Sequence, residues 1–302
     1  MIDRRLAAAI VLFASTIVTS GSFLYLERQQ TTPPMGGYVN PQLLVDGEWI
    51  LAHLNESSVR IIDVRSQAEY DRGHIQNAVR LEIKRLTMDI NGVQKVATQE
   101  IVESVLGELG LDPEDTAVIY DEHYSLDAAL VFWTLEYYGH KDVRILNGDW
   151  SQWLVHGYPR SLEKPAIKRT VYNATINPEV LATVDYIVEN LNSSRIILLD
   201  VRTPAEFYGI DVRAKRGGHI PGSVNVEWRR ALERPGTFKL GPDLIRLYRQ
   251  VGITGDREII TMCQTGQRAA HSYFVMRLLG YKTRMYDGSW EEWGNTKDLP
   301  IE

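Results

Sequence analysis

The sequence has little of what several common kinds of site require. It contains one cysteine, Cys263, in 302 residues. An intramolecular disulfide and a zinc site with two thiolates from this chain are therefore both excluded. It also has no run rich in lysine or arginine, and 39 acidic residues against 33 basic ones give a net charge of -6. We expect no nucleic-acid partner, because no basic field is present to attract one.

Motifs for metals, nucleotides and serine nucleophiles are missing as well. No helix pattern pairs histidine with glutamate as metal ligands, and no Gly-x-Ser-x-Gly elbow occurs. The glycines at 217, 218 and 222 have a spacing like that of a P-loop, but Ser223 and Val224 follow where a phosphate-binding lysine is required. The sequence predicts neither a metal nor a cofactor.

The composition is that of a folded protein. Hydrophobic residues make up 44% and charged residues 24% of the chain, which excludes disordered, collagenous and polytopic membrane classes. At about 100 to 200 residues per domain, the length suggests two domains.

The N-terminal segment has the pattern of an export signal. Arg4 and Arg5 precede an uncharged apolar stretch at 6–26, and a polar, proline-containing stretch follows. The stretch is long enough to span a bilayer, which favours an uncleaved anchor within residues 1–30, while Val18 and Ser20 would also suit cleavage after Ser20. A buried core helix fits poorly, since the stretch is not amphipathic. The positive charge predicts that the rest of the chain lies outside the cytoplasm, in the periplasm, either soluble or tethered to the inner membrane.

The same sequence words occur twice in the same order. Ile61-Ile62-Asp63-Val64-Arg65 returns as Leu198-Leu199-Asp200-Val201-Arg202, and Gly73-His74-Ile75 returns as Gly218-His219-Ile220. Such repetition predicts two homologous domains, at 38–159 and 176–302, joined by a linker at 160–175.

Within each copy, short apolar runs alternate with helical patterns, which indicates an α/β fold with a parallel sheet flanked by helices. In the second copy we predict strands at 195–201, 223–226, 258–262 and 283–286. We predict helices there at 178–190, 242–251 and 268–279.

Cys263 follows a predicted strand, and the polar loop Gln264-Thr265-Gly266-Gln267-Arg268 leads into a helix. Ligands of parallel α/β sheets bind beyond the carboxyl ends of the strands. Gly266 allows a positive φ, so backbone N–H groups can converge on an anion, and the helix N-terminus and Arg268 add positive charge. This environment favours a nucleophilic thiolate. A cysteine buried as a small hydrophobe would not need these polar neighbours.

These motifs resemble those of the tandem-domain rhodaneses, sulfurtransferases of the thiosulfate and 3-mercaptopyruvate type. The resemblance covers the chain from about residue 38 and includes the Asp-Val-Arg turn, the Gly-His-Ile-Pro-Gly segment and the six-residue loop that begins at Cys263. It implies that the first domain has lost its cysteine, with Asp121 in the corresponding place. It also implies an active loop that faces the cleft between the domains.

The implied reaction is a double displacement through a covalent intermediate on Cys263. A small sulfur donor would leave a persulfide on Cys263, which a thiol or cyanide acceptor would then remove. The loop amides of residues 264 to 268 would hold the negative charge of the persulfide. Asp200 and Arg202 are expected to order the strand-loop junction, and His219 to fix its own loop.

The identity of the donor stays open on the sequence. The loop has neither the basic pair associated with thiosulfate nor the Cys-Gly-Ser-Gly-Val-Thr form associated with mercaptopyruvate. Glu206 lies where thiosulfate enzymes tend to have an arginine, although the insert before His219 offers Arg213, Lys215 and Arg216 as possible replacements. These three charges could equally belong to an ordinary solvated loop.

Two other functions fit the cysteine loop. A phosphatase or arsenate reductase would also use a cysteine loop with an arginine, but four residues separate Cys263 from Arg268 where the phosphatase relatives have five. An exported sulfur carrier would accept sulfur on Cys263 without turnover of small donors. Steady-state turnover on free donors distinguishes a carrier from an enzyme.

Overall fold

The structure, a computed structural model, describes residues 35–234 and 236–302. The first part of this chain alternates strands with helices. Its strands are β1 (Leu44–Val45), β2 (Val59–Asp63), β3 (Val79–Arg80), β4 (Thr87–Ile90), β5 (Val93–Val96), β6 (Thr116–Tyr120) and β7 (Asp142–Leu146). Its helices are α1 (Gly47–His53), α2 (Gln67–Arg72), α3 (Gln99–Glu108), α4 (Leu126–Tyr137) and α5 (Asp149–Val155).

The second part repeats this alternation. Its strands are β8 (Leu181–Ala182), β9 (Ile196–Asp200), β10 (Val224–Asn225), β11 (Leu232–Arg234), β12 (Thr237–Phe238), β13 (Glu258–Met262) and β14 (Thr283–Tyr286). Its helices are α6 (Val184–Asn190), α7 (Pro204–Phe207), α8 (Gly241–Arg249), α9 (Gln267–Leu278) and α10 (Ser289–Asn295).

Each part builds one five-stranded parallel sheet, and the two sheets have the same topology. The first sheet has the order β1-β7-β6-β2-β3, and the second has the order β8-β14-β13-β9-β10. The remaining strands form two antiparallel hairpins, β4 with β5 and β11 with β12. The predicted α/β class with two similar domains is confirmed.

The predicted strands at 258–262 and 283–286 have the observed bounds, and the other two are shorter than predicted. The prediction of one helix over 178–190 is wrong. A 3₁₀ turn at Pro178–Val180 comes first, then β8, and α6 begins at Val184. Leu181 and Ala182 pair with Met285 and Tyr286 at the edge of the sheet. Sheet pairing has overridden the local helical pattern there.

The two domains share one hydrophobic core across their interface. Helices α4 and α9 pack against each other between the sheets, where Phe132 meets Phe274 edge to face with ring centroids 4.8 Å apart. Glu136 on α4 accepts hydrogen bonds from the Arg277 guanidinium at 2.8 Å and the Tyr273 hydroxyl at 2.6 Å. Because both helices are buried on nearly all sides, neither shows a clear amphipathic pattern.

The expected export segment at 1–30 lies outside the described residues. Among the residues that are described, none of the helices has the length and apolar character that crossing a membrane would require.

Candidate active site

Cys263 lies directly after β13, at the carboxyl edge of the second sheet. Its backbone is held on both sides, because its N–H donates to Ser289 Oγ at 3.2 Å and its carbonyl accepts from the Trp290 N–H at 2.9 Å. The side chain is buried. The start of α10 thus fixes where the sulfur sits at the end of the strand.

The loop after Cys263 turns a backbone amide toward the sulfur. The N–H of Gly266 donates to Cys263 Sγ at 3.2 Å. Gly266 has a φ of +93°, and a Cβ at this position would lie 3.3 Å from the backbone oxygen of Asp287. The positive φ favours glycine here, and the nearby oxygen leaves little room for a side chain. The loop leads straight into α9, whose N-terminus adds partial positive charge.

Arg268 is paired with Glu206. Its guanidinium donates two hydrogen bonds to the Glu206 carboxylate, both at 2.8 Å, and the Glu206 side chain is fully buried. Burial acts to raise the pKa of Glu206, but the bonds and charge of Arg268 outweigh it and lower that pKa to about 2. Burial acts to lower the pKa of Arg268, because it disfavours the charged guanidinium. Glu206 and a Cys263 thiolate favour the charged form more strongly, so the pKa of Arg268 is raised.

This ion pair is a feature that the sequence interpretation missed. The sequence suggested Arg268 as a positive charge beside Cys263, and Glu206 as a departure from a substrate-binding arginine. The structure makes Glu206 the counter-charge of Arg268. The one available signal was the spacing of Thr203 and Glu206, which forms a capping box at the start of α7 and places the carboxylate at the loop.

Replacing Glu206 with glutamine is expected to destabilise the fold by about 3 kcal/mol at neutral pH, because it leaves the half-buried Arg268 without its counter-charge. Because folding lowers the pKa of Glu206, the ionised Glu206 side chain stabilises the fold above its unfolded pKa of about 4.3. This contribution to the free energy of unfolding is lost as the pH falls toward 2. Urea unfolding at several pH values measures this. The free energies of unfolding of wild type and Glu206→Gln should converge below pH 4. A constant difference between them down to pH 2 would contradict the pairing of Glu206 with Arg268.

The other loop residues have distinct surroundings. Gln264 donates through Nε2 to the Arg213 carbonyl at 3.1 Å, and Thr265 is exposed. Gln267 donates to the carboxylate of Asp127, which lies on α4 of the first domain. The segment that follows Cys263 is thus anchored across the domain interface by Gln267.

Asp200, Arg202 and His219 make contacts that order the backbone around the loop. The Arg202 guanidinium donates to the Asp200 carboxylate at 2.6 Å and to the Gly218 carbonyl at 2.8 Å. Burial raises the pKa of Asp200, against the opposing effect of Arg202. His219 stacks on Phe207 with ring centroids 3.7 Å apart, and its Nδ1 lies 3.0 Å from the Phe207 carbonyl.

Arg213 and Arg216 differ in their availability to a ligand. The Arg216 guanidinium donates to four backbone carbonyls, those of Trp293, Gly294, Thr296 and Leu299. Arg213 is exposed, pairs with Asp211 at 2.7 Å and lies 3.7 Å from Glu206. Of these two arginines, Arg213 is the one whose side chain could turn toward a donor.

Asp121 occupies the place in the first domain that Cys263 has in the second. Tyr120 pairs with Asp63 at the end of β6, as Met262 pairs with Asp200 at the end of β13. The Asp121 carboxylate is buried and accepts four backbone N–H bonds of 2.9 to 3.2 Å, from residues 123, 125, 127 and 128. The first domain thus keeps a loop of converging amides, filled by its own carboxylate.

Burial is the main reason that the pKa of Asp121 rises to about 7, with the Ala128 N–H opposing the rise and the charges of Asp127 and Asp149 adding to it. Because this folded pKa is above the unfolded value, protonated Asp121 contributes fully to the free energy of unfolding below about pH 4, and this contribution is lost as the pH rises through 7. The free energy of unfolding changes by on the order of 4 kcal/mol at most over this range.

We therefore expect the wild type to lose stability relative to Asp121→Asn between pH 4 and pH 8, although the asparagine variant is less stable overall. Its amide cannot accept all four N–H bonds. Urea unfolding at pH 5 and pH 8 tests this, with the exposed Asp298→Asn as a matched control. Parallel pH profiles for wild type and Asp121→Asn would contradict the raised pKa.

Among the described residues, no cluster of three or more histidine, cysteine, aspartate or glutamate side chains could hold a metal ion. The groups found at Cys263 are the Gly266 amide, the N-terminus of α9 and the Arg268–Glu206 pair.

Comparison with known proteins agrees with this repeated architecture. A family model described as the rhodanese-like domain matches residues 46–156 and 183–296. The chain is 35% identical over 280 residues to the sulfur carrier protein TtuD of Thermus thermophilus, covering 88% of this chain and 98% of that one. It is 34% identical over 272 residues to a thiosulfate sulfurtransferase of Azotobacter vinelandii, covering 89% and 100%.

A solved structure is similar over most of the chain. The 3-mercaptopyruvate sulfotransferase SseA of Escherichia coli aligns with a TM-score of 0.73 and 26% identity, covering 82% of this chain and 98% of that one. The family model matches both halves of the chain. The match to the two relatives named above covers 98% and 100% of their own length. The chain therefore belongs to the rhodanese family of sulfurtransferases, with two rhodanese-like domains in tandem.

Proposed function

We propose that this sulfurtransferase moves a sulfane sulfur from thiosulfate or 3-mercaptopyruvate to a thiol or cyanide through a persulfide on Cys263. The observation that carries the proposal is the Gly266 N–H directed at Cys263 Sγ, at a strand end that leads into the N-terminus of α9. Amides and a helix N-terminus stabilise a sulfur anion in both its thiolate and its persulfide form.

In the first half-reaction, the Cys263 thiolate attacks the sulfur to be transferred, which is the outer sulfur of thiosulfate or the thiol sulfur of 3-mercaptopyruvate. A sulfur–sulfur bond to Cys263 forms, and the bond between the transferred sulfur and the rest of the donor breaks. The electron pair of that bond leaves with sulfite, or with the enolate of pyruvate, which then takes up a proton. In the second half-reaction, the acceptor attacks the outer sulfur of the persulfide, and the Cys263 thiolate leaves. This sequence predicts ping-pong kinetics.

The test is intact-protein mass spectrometry after exposure to thiosulfate and, separately, to 3-mercaptopyruvate. The proposal expects a mass increase of one sulfur atom with at least one donor, which cyanide then removes with release of thiocyanate. If neither donor adds sulfur to the folded protein, the proposal is wrong.

The alternative is a sulfur carrier that accepts sulfur from a partner protein. One observation favours it, since a relative with 35% identity over 88% of the chain is named a sulfur carrier protein. A carrier would take up one sulfur per chain and show no steady-state turnover with free donors and cyanide. Continuous thiocyanate production would reject the carrier alternative.

We also propose that both domains are exported from the cytoplasm and stay in the periplasm, soluble or tethered through the segment at 6–26. The support is Arg4 and Arg5 ahead of that uncharged stretch. In intact spheroplasts, added protease should reach the catalytic domains. Protection that is lost only after lysis would refute export.

A further inference from the structure

A cavity of about 520 Å³ lies in the first domain, beside the loop that holds Asp121. It is lined by Arg65, Glu69, Arg72, Gly73, Glu122, His123, Trp150, Ser151, Leu154 and Arg160. Since this domain has aspartate in place of the cysteine, the cavity has no part in sulfur transfer as proposed above.

The cavity is open because the first domain lacks an insert that the second domain has. Between Tyr70 and Gly73 the first domain has only residues 71 and 72, whereas between Phe207 and Gly218 the second domain has residues 208–217. This longer segment covers the second-domain counterparts of three lining residues. Gln264 donates to the carbonyl of Arg213, and Trp290 donates to the carbonyl of Arg216 at 3.2 Å. Gly294 packs against Ala214. Gln264, Trp290 and Gly294 correspond to Glu122, Trp150 and Leu154.

The inner wall of the cavity holds a buried arginine and two carboxylates. Arg65 is buried, stacks on Trp150 at 4.2 Å and lies 3.6 Å from Glu122. Glu69 and Glu122 both line this wall, and their side chains are each about three-quarters buried. The charge of the buried arginine beside them, Arg65, is already balanced by Asp63, which lies 2.6 Å away. The two carboxylates therefore favour a cationic ligand.

The outer rim is basic. Arg72 is exposed and lies 3.9 Å from Glu69. Arg160 is also exposed and packs over Gly73. A Cβ added to Gly73 would lie 3.1 Å from Arg160 Cδ. Two guanidinium groups at the mouth suit a carboxylate, which they bind with charge-assisted hydrogen bonds. The cavity therefore places acidic groups inside and basic groups at the rim.

We propose that this cavity binds a small zwitterion, a free α-amino acid, with its ammonium group against Glu69 and Glu122 and its carboxylate against Arg72 and Arg160. Trp150 and Leu154, which line the cavity, would contact the amino acid's own side chain. Arg65 is a positioning residue, since it holds Glu122 and is itself fixed by Asp63.

The proposal is tested by isothermal titration of the full chain with L-serine, which has both charges and no thiol that could accept sulfur. Ethanolamine has only the ammonium group, and L-lactate has only the carboxylate. We expect one molecule of serine to bind per chain, and each single-charge probe to bind at least about tenfold more weakly, because each loses one set of charged hydrogen bonds.

Two variants locate the binding. Glu122→Gln should weaken serine binding about tenfold or more. Leu154→Trp should abolish it by filling the cavity from an exposed position on α5, where folding is preserved. Arg195→Ala is a control on an exposed arginine that does not line the cavity, and it should bind serine like wild type. Cys263→Ser should also bind serine like wild type, which separates this site from the active loop.

The proposal is overturned if serine does not bind to the wild type, or if Leu154→Trp binds serine with unchanged affinity. Ethanolamine binding as tightly as serine would likewise reject the amino acid in favour of a simple cation.

Discussion

Replacing Cys263 with serine is expected to reduce sulfur transfer to the uncatalysed background while leaving the fold intact. Serine is close in size to cysteine and can accept the same hydrogen bond from the Gly266 N–H, so packing at the end of β13 should be kept. Its hydroxyl is a far weaker nucleophile than a thiolate and does not form a persulfide. Because the chain has no second cysteine, no other thiol can take over.

The measurement is cyanide-dependent thiocyanate formation, together with circular dichroism and thermal unfolding to establish that the variant is folded. Ser272→Ala is a suitable matched control, since Ser272 is also buried but lies on α9, outside the loop. It should keep wild-type activity. Appreciable thiocyanate production by folded Cys263→Ser would mean that the intermediate does not form on this sulfur.

The repeated sequence motifs predicted much of the fold because they form hydrogen bonds between residues that are close in sequence. Asp63 and Asp200 end equivalent central strands, and each is followed by an arginine that bonds back to the carboxylate and to a glycine carbonyl. Such a local device depends on residues close in sequence, so the sequence shows it directly. The same holds for Cys263, which was placed at a strand end by the apolar run before it and the polar loop after it.

Contacts between distant parts of the chain were not predictable in the same way. Glu206 lies on α7 and Arg268 lies at the start of α9, and nothing near Arg268 in the sequence indicates that its charge has a partner. Asp127 and Gln267 belong to different domains, and their contact depends on how α4 packs on α9. The packing of α4 on α9 could not be predicted from the sequence either. Helices that are buried on all sides have no amphipathic pattern to indicate which face contacts a neighbouring helix.

The Glu206–Arg268 pair also changes the account of how the loop stabilises a sulfur anion. If the charge of Arg268 is largely balanced by Glu206, the loop must depend more on its backbone amides and on the N-terminus of α9. The shape of the backbone at Gly266 then becomes the decisive feature. A change that moves its N–H should cost more activity than a change in the surface charges around the loop.

We therefore expect Gly266→Val, and the insertion of one residue between Gly266 and Arg268, to slow persulfide formation by roughly 10²- to 10³-fold, the loss associated with removing one preorganised donor. At a φ of +93° a β-branched residue is strained, and its Cβ would press on the Asp287 carbonyl, so the loop must shift and carry the N–H away from Sγ. The insertion should widen the loop and have the same result.

The measurement is the rate of persulfide formation after mixing with donor, with circular dichroism as the test of folding. Gly157→Val is the matched control, because Gly157 also has a positive φ of +70° but lies in the first domain, where a Cβ added to it would meet no heavy atom within 4 Å. It should carry a similar conformational cost of about 1 to 3 kcal/mol and keep its rate. If folded Gly266→Val and the insertion variant both react at the wild-type rate, the amide at Gly266 does not stabilise the sulfur, and activation would have to come chiefly from the α9 dipole or from Arg268 despite its pairing with Glu206.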